Sequence, residues 1–141
     1  MLNELVTATH RLARIAAVDT GDVVSAATWR TLAALQESSP MRIGELAAQT
    51  RVTGPTMTGM VTSLVKAGWV QRVTDPSDAR AGLVAITDAG LTAVEDWYLR
   101  SSAAMQSYFT DLSDAECAAL KTTVELVAER TITAESAPGR H

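Results

Sequence analysis

The sequence predicts a mainly α-helical chain with a small β-hairpin wing, a winged helix-turn-helix core flanked by amphipathic helices at both ends. Three observations predict it. Apolar residues recur at helical spacing in five separate stretches. Thr53 ahead of Pro55, and Ser113 three residues ahead of Glu116, mark helix starts. The β-prone run Trp69–Thr74 meets a polar turn and a returning strand.

Taken in order, Leu2, Leu5, Val6, Thr9, Leu12, Ala13 and Ala16 give a first helix over 1–18, ending near Asp19-Thr-Gly21. Ser25 caps a second helix from Ala26 to about Glu37, whose Trp29, Leu32, Ala33 and Leu35 supply core, and Ser38-Ser-Pro40 breaks it. Arg42-Ile43 fits a brief third strand beside the hairpin. A short helix (Ile43 to Gln49), a tight turn (Thr50 to Gly54) and a further helix (Pro55 to Lys66) follow. In that last helix Met57, Met60, Val61, Leu64 and Val65 form an apolar underside, while Thr56, Gly59, Thr62 and Ser63 leave the other side short and uncharged. Gly68 stops it. A strand (Trp69 to Thr74), a charged turn (Asp75 to Arg80) and a returning strand (Gly82 to Ile86) make the wing.

Thr87 caps a long helix from Asp88 to about Thr110, with Leu91, Val94, Tyr98, Met105 and Tyr108 stepping along one face. Ser113-Asp-Ala-Glu116 is a capping box opening a helix from Asp114 to about Thr131, where Cys117, Leu120, Val124 and Val127 form a seam suited to helix packing. The tail 133–141 is small and polar and is expected to fray. The division is one domain over 1–141: a core at 26–87, dimerisation helices at 1–18 and 88–132, and the tail. Two subunits that interleave their terminal helices bury those faces; the alternative is that the helices pack only within one subunit.

Length and composition bound the rest. With 141 residues and 47% hydrophobic content the chain supports one core. No apolar run has the length of a membrane span and the N-terminus lacks the pattern of a signal peptide, so the expected setting is the cytoplasm, without a membrane partner. One cysteine, Cys117, excludes an internal disulfide, and with His10 and His141 it makes no convincing metal site. No glycine-rich phosphate loop, Gly-x-Ser-x-Gly or paired-histidine motif appears, so neither an enzyme nor a cofactor is expected. The net charge is −4 but polarised: residues 42–80 carry +2 and the remainder −6.

In helix-turn-helix proteins the second helix enters the DNA major groove. The runs Gly44-Glu-Leu-Ala47, Val52-Thr-Gly-Pro-Thr-Met-Thr58, Leu64-Val-Lys-Ala-Gly68, Asp75-Pro-Ser-Asp-Ala-Arg80 and Ile86-Thr-Asp-Ala-Gly90 resemble the MarR family of bacterial winged-helix transcriptional regulators. The wing is the most specific part, through Asp78, Arg80 and Ile86-Thr87. The resemblance implies a homodimer on a pseudo-palindromic operator, acting as a repressor that a small aromatic or lipophilic effector or an oxidant relieves. The chain departs from the family at Gly54 and Gly59, where arginines are common.

For DNA contact the candidates are Arg51, Thr53, Gly54, Pro55, Thr56, Thr58, Gly59, Ser63, Arg72 and Arg80. Hydroxyls and a helix N-terminus bind phosphate, and a wing arginine suits a narrow minor groove. Thr53 reads equally as a cap, and Arg51, Arg72 and Lys66 equally as solvated cations. Asp78 would orient Arg80. Without Arg, Asn or Gln on the helix's outer face, bidentate reading of guanine or adenine is missing there, which favours an A·T-rich operator read through thymine methyls and shape. His10, Trp29, Trp97, Tyr98 and Met105 are candidates for an effector cavity, against the plain alternative that an aromatic stripe is core. Cys117 on an apolar seam reads as a buried thiol, the alternative being a redox sensor. A non-DNA interaction module of the same fold is the remaining alternative.

Overall fold

A computed structural model describes residues 1–21 and 23–135, at the backbone alone for 78–81 and 133–135. The elements are α1 (Leu2–Asp19), α2 (Ala26–Ser38), β1 (Met41–Arg42), α3 (Ile43–Thr50), α4 (Gly54–Lys66), β2 (Val70–Asp75), β3 (Asp78–Ile86), α5 (Asp88–Gln106), a 3-10 turn (Ser107–Phe109) and α6 (Asp114–Glu135). Two compact units divide the chain, Met1–Met105 and Gln106–His141.

The first unit is built around α2. Its Leu32 and Leu35 are fully buried and meet Leu46 of α3, Met57 and Val61 of α4, Val84 of β3 and Val94 of α5 in one core. Burying such a side chain is worth roughly 1.5–3 kcal/mol relative to leaving it exposed, so this cluster holds the helix-turn-helix against the sheet. The sheet is antiparallel with strand order β1-β3-β2, and Met41 and Arg72 both pair with Val84. Thr87 joins the hairpin to α5: its Oγ1 donates to the Gly68 carbonyl (2.6 Å) and accepts from the Gly90 N–H (3.1 Å). At Gly90 any Cβ would lie 2.1 Å from the Trp69 carbonyl oxygen, so only glycine lets α5 approach the hairpin base this closely.

Several boundaries differ from the expected ones, each for a local reason. Thr50 stays helical because its buried hydroxyl donates to the Leu46 carbonyl (2.6 Å), and Gly54 is already helical because Thr53 is the cap. The third strand is Met41–Arg42, since Ile43 opens α3 with Glu45 accepting from the Arg42 N–H (3.0 Å). The expected charged turn 75–80 shrinks to Pro76-Ser77, because Asp75 pairs across the hairpin with Asp78 and its Oδ1 accepts from the Ser77 N–H (2.8 Å) and hydroxyl (2.6 Å). At Gln106 α5 gives way to the 3-10 turn, four residues short of Thr110.

In the second unit Ser113 and Glu116 form the capping box, with the Ser113 N–H 2.9 Å from Glu116 Oε2. The Ser113 hydroxyl and N–H hold the Glu116 carboxyl below its usual pKa. From there α6 runs to Glu135, past the expected start of the tail, whose residues 136–141 lie outside those described.

Candidate nucleic-acid interface

The site is built on α4. Thr53 Oγ1 accepts from the Thr56 N–H (3.4 Å) and shares a hydrogen bond with the Thr56 hydroxyl (2.7 Å), so both threonines belong to the cap. At the other end Gly68 takes φ +77°, and the N–H groups of Gly68 and Trp69 donate to the carbonyls of Val65 and Leu64 (3.0 Å each). That double bond pattern closes the helix and starts the hairpin directly beneath it. Met57, Val61 and Leu64 are buried, which turns Gly54, Pro55, Thr56, Thr58, Gly59, Thr62 and Ser63 outward, all exposed.

This outer face is bare. A Cβ added at Gly54 or Gly59 would meet nothing within 4 Å, so packing within the chain does not call for glycine at either position. The hydroxyls of Thr58, Thr62 and Ser63 donate to the carbonyls of Gly54, Thr58 and Gly59 at 3.0, 2.9 and 3.2 Å. With their hydrogens so engaged, they offer lone pairs outward as acceptors. Just ahead of the helix, Arg51 is exposed and left-handed (φ 56°, ψ 46°), a conformation that costs a non-glycine residue roughly 1–2 kcal/mol.

On the wing, Arg72 is exposed on β2. Asp78 and Arg80 lie on the backbone of β3, while their side chains lie outside the described part. A carboxylate that the sequence reading missed organises the wing instead. Asp75 is buried (7% exposed) and forms an ion pair with the half-buried Arg42 of β1, while its other oxygen holds Ser77. Arg42, counted above among the cations of this segment, is therefore neutralised within the fold. No local pattern announces a pair 33 residues apart; the only signal is an acidic residue at a strand end facing a basic edge strand.

Within the first unit a cavity of about 440 Å³ opens between α1, α2 and α5. Trp29, Trp97, Tyr98 and Met105 line it together with Leu12 and Ala16; the exposed His10 does not. The aromatic stripe is at once core and cavity wall. Trp29 stacks on Trp69 (centroids 5.7 Å apart, planes at 25°) and on Trp97 (5.2 Å, 15°), and Trp97 meets Tyr98 (4.9 Å). Cys117, expected to be buried, is exposed on α6, where Leu120 and Val124 are also 44% and 59% exposed. A seam of this spacing stays dry only against a facing surface. Among the described residues no group of three or more His, Cys, Asp or Glu could hold a metal ion, and no helix is long and apolar enough to cross a membrane.

Comparison with known proteins places this geometry. The model of the MarR family matches residues 24–81, from the approach to α2 through the tip of the wing. HTH-type transcriptional regulators of Mycobacterium bovis, described as uncharacterized, and of Mycobacterium tuberculosis are each 35% identical over 72 residues, 51% of this chain and 50% of theirs. The chain thus spans about half the length of the curated relatives it matches. The apo form of MarR from E. coli superposes with a TM-score of 0.74 at 24% identity, over 90% of this chain and 96% of that one. A mutant of MepR from S. aureus, bound to an oligodeoxyribonucleotide, gives 0.65 at 18% identity, over 93% and 98%. These two likenesses are likenesses of fold. With its turn, bare second helix and wing, the segment 24–81 is similar to the MarR family, whose model it matches.

Proposed function

We propose that this protein is a cytoplasmic, homodimeric transcriptional regulator that represses from a pseudo-palindromic, A·T-rich operator and is released by a small effector. The observation that carries the reading is the outer face of α4: exposed, uncharged and made of glycine, proline and hydroxyl residues, with open space at both glycines. Such a face can lie against the floor of a major groove and touch thymine methyls, while Arg51 and Arg72 anchor phosphates and Arg80 enters the minor groove with Asp78 orienting it. The MepR mutant of similar fold, bound to an oligodeoxyribonucleotide, supports DNA as the partner.

A second copy of the chain covers the apolar surface left open on α1 (Leu2, Val6, Val18) and α6 (Leu120, Val124, Leu126, Ile132), and sets the two recognition helices about one helical turn, roughly 34 Å, apart. Regulation is a population shift: the effector, held in the cavity walled by Trp29, Trp97, Tyr98 and Met105, prefers a spacing that does not fit DNA. The stack from Trp97 through Trp29 to Trp69 leads from that cavity to the end of α4, since the Trp69 N–H is bonded to the Leu64 carbonyl. His10 lies outside this role in our reading.

Selection of bound duplexes from a random pool, with the native chain and Arg80→Ala at two salt concentrations, tests the proposal. The expected product is a two-fold symmetric A·T-rich site whose affinity falls with Arg80→Ala and depends modestly on salt. Enrichment of guanines under the recognition helix would sink the readout, and no enrichment at low salt would sink DNA binding altogether.

A further inference from the structure

Buried hydroxyls of this chain's helices bond back to their own backbone. The Thr31 hydroxyl donates to the Ala27 carbonyl (2.8 Å) and Thr50 to Leu46 (2.6 Å), and on α5 itself the exposed Thr92 does the same to Asp88 (3.0 Å). Ser101, one helical step further along the face that carries Trp97, departs from this pattern. It is only 8% exposed, lines the cavity, and its Oγ has no hydrogen-bond partner among the described residues. Buried polar groups are almost always paired, so an orphaned hydroxyl facing a cavity marks the place where a missing partner belongs.

The rest of the wall limits what that partner is. The stacked indoles of Trp29 and Trp97 line it together with the small-residue stretch Ala13, Ala16 and Ala17 of α1. That is a slot for a flat ring system, and about 440 Å³ lies within the range of roughly 300–1,000 Å³ usual for small-molecule sites. Arg30, Tyr98 and Ser102 of the lining are exposed, which leaves Ser101 as its buried hydroxyl, beside the buried indole of Trp29. A single neutral hydroxyl satisfies one hydroxyl or carbonyl; it does not offset the desolvation of a carboxylate or an ammonium.

Resting on the reading of this cavity as the effector site, we infer that Ser101 is its specificity-determining contact and that the ligand is a flat, uncharged aromatic molecule of two or three fused rings carrying one hydroxyl or carbonyl group. The test is calorimetric titration of the full chain with 2-naphthol, naphthalene and 2-naphthoate, repeated with Ser101→Ala and Ser101→Thr. The native chain and Ser101→Thr bind 2-naphthol about tenfold more tightly than naphthalene, and the charged naphthoate more weakly than the naphthol. In Ser101→Ala the preference for naphthol disappears while naphthalene binds at least as well, which a merely structural serine would not produce.

The inference is overturned if naphthol keeps its advantage in Ser101→Ala, if naphthol and naphthalene weaken together there, or if naphthoate binds the native chain tightest. Release of the selected operator by the same compounds is read separately. A Ser101-dependent preference without release leaves this inference standing and removes the effector reading, whereas failure of all three compounds to bind removes both.

Discussion

Arg51 and Gly59 occupy positions for which the fold alone would choose other residues. Arg51 sits left-handed at the end of α3, where glycine costs nothing, and Gly59 sits inside α4 with open space where a side chain would go. Both therefore separate folding from binding. Arg51→Gly is expected to stabilise the chain by about 1 kcal/mol in urea denaturation, yet to weaken the operator complex and lower its salt slope by about one per subunit. Gly59→Ala is expected to stabilise by about 0.5–1 kcal/mol, from helix propensity, and to weaken the same complex by crowding the groove floor. Stability gains without any loss of binding would remove both residues from the interface. Much at this scale was legible in advance, because capping and termination depend on near neighbours: Thr53, Gly68, Ser113 and Glu116 stand where their chemistry predicts. The strain at Arg51 and the orphaned hydroxyl of Ser101 were not legible, since one depends on a backbone angle and the other on which groups surround the side chain.

Among the elements, the wing is the one whose internal support the sequence concealed. Helices announce themselves by periodicity, and the hairpin by its β-prone runs around Asp75-Pro76, but the Arg42 to Asp75 pair joins strands 33 residues apart. From a nearly dry position Asp75 accepts from the Arg42 guanidinium and from the N–H and hydroxyl of Ser77. Asp75→Ala leaves those donors unpaired but near water, since Arg42 is itself 43% exposed, so the cost should be about 1–2 kcal/mol. Hydrogen exchange should speed up at the tip of β2 and β3 while the protected amides of α2 stay slow. Acceleration spread evenly over both would mean that the carboxylate supports the whole core and not the wing.

The whole molecule is defined as much by the surface it leaves uncovered as by its core. Apolar residues on α1 and, separately, on α6 are 44–72% exposed, and dimerisation covers them in our reading. Val124→Asp is expected to yield monomers in sedimentation and at least a tenfold loss of operator affinity, with the fold of α2 to β3 intact by circular dichroism; a stable dimer would refute the role of this face. That surface was legible as seams of spacing, but not the exposure of Cys117, because a sequence pattern gives a face and not what lies opposite it. The stack of Trp29, Trp69 and Trp97 has one more consequence. These are all three tryptophans of the chain, with neighbouring rings 5.2 and 5.7 Å apart, so their electronic transitions couple and the tryptophan bands of the near-ultraviolet spectrum have a single structural origin. The protein carries its own label, and a change in that spectrum reports the joint between cavity and hairpin without any dye or added probe.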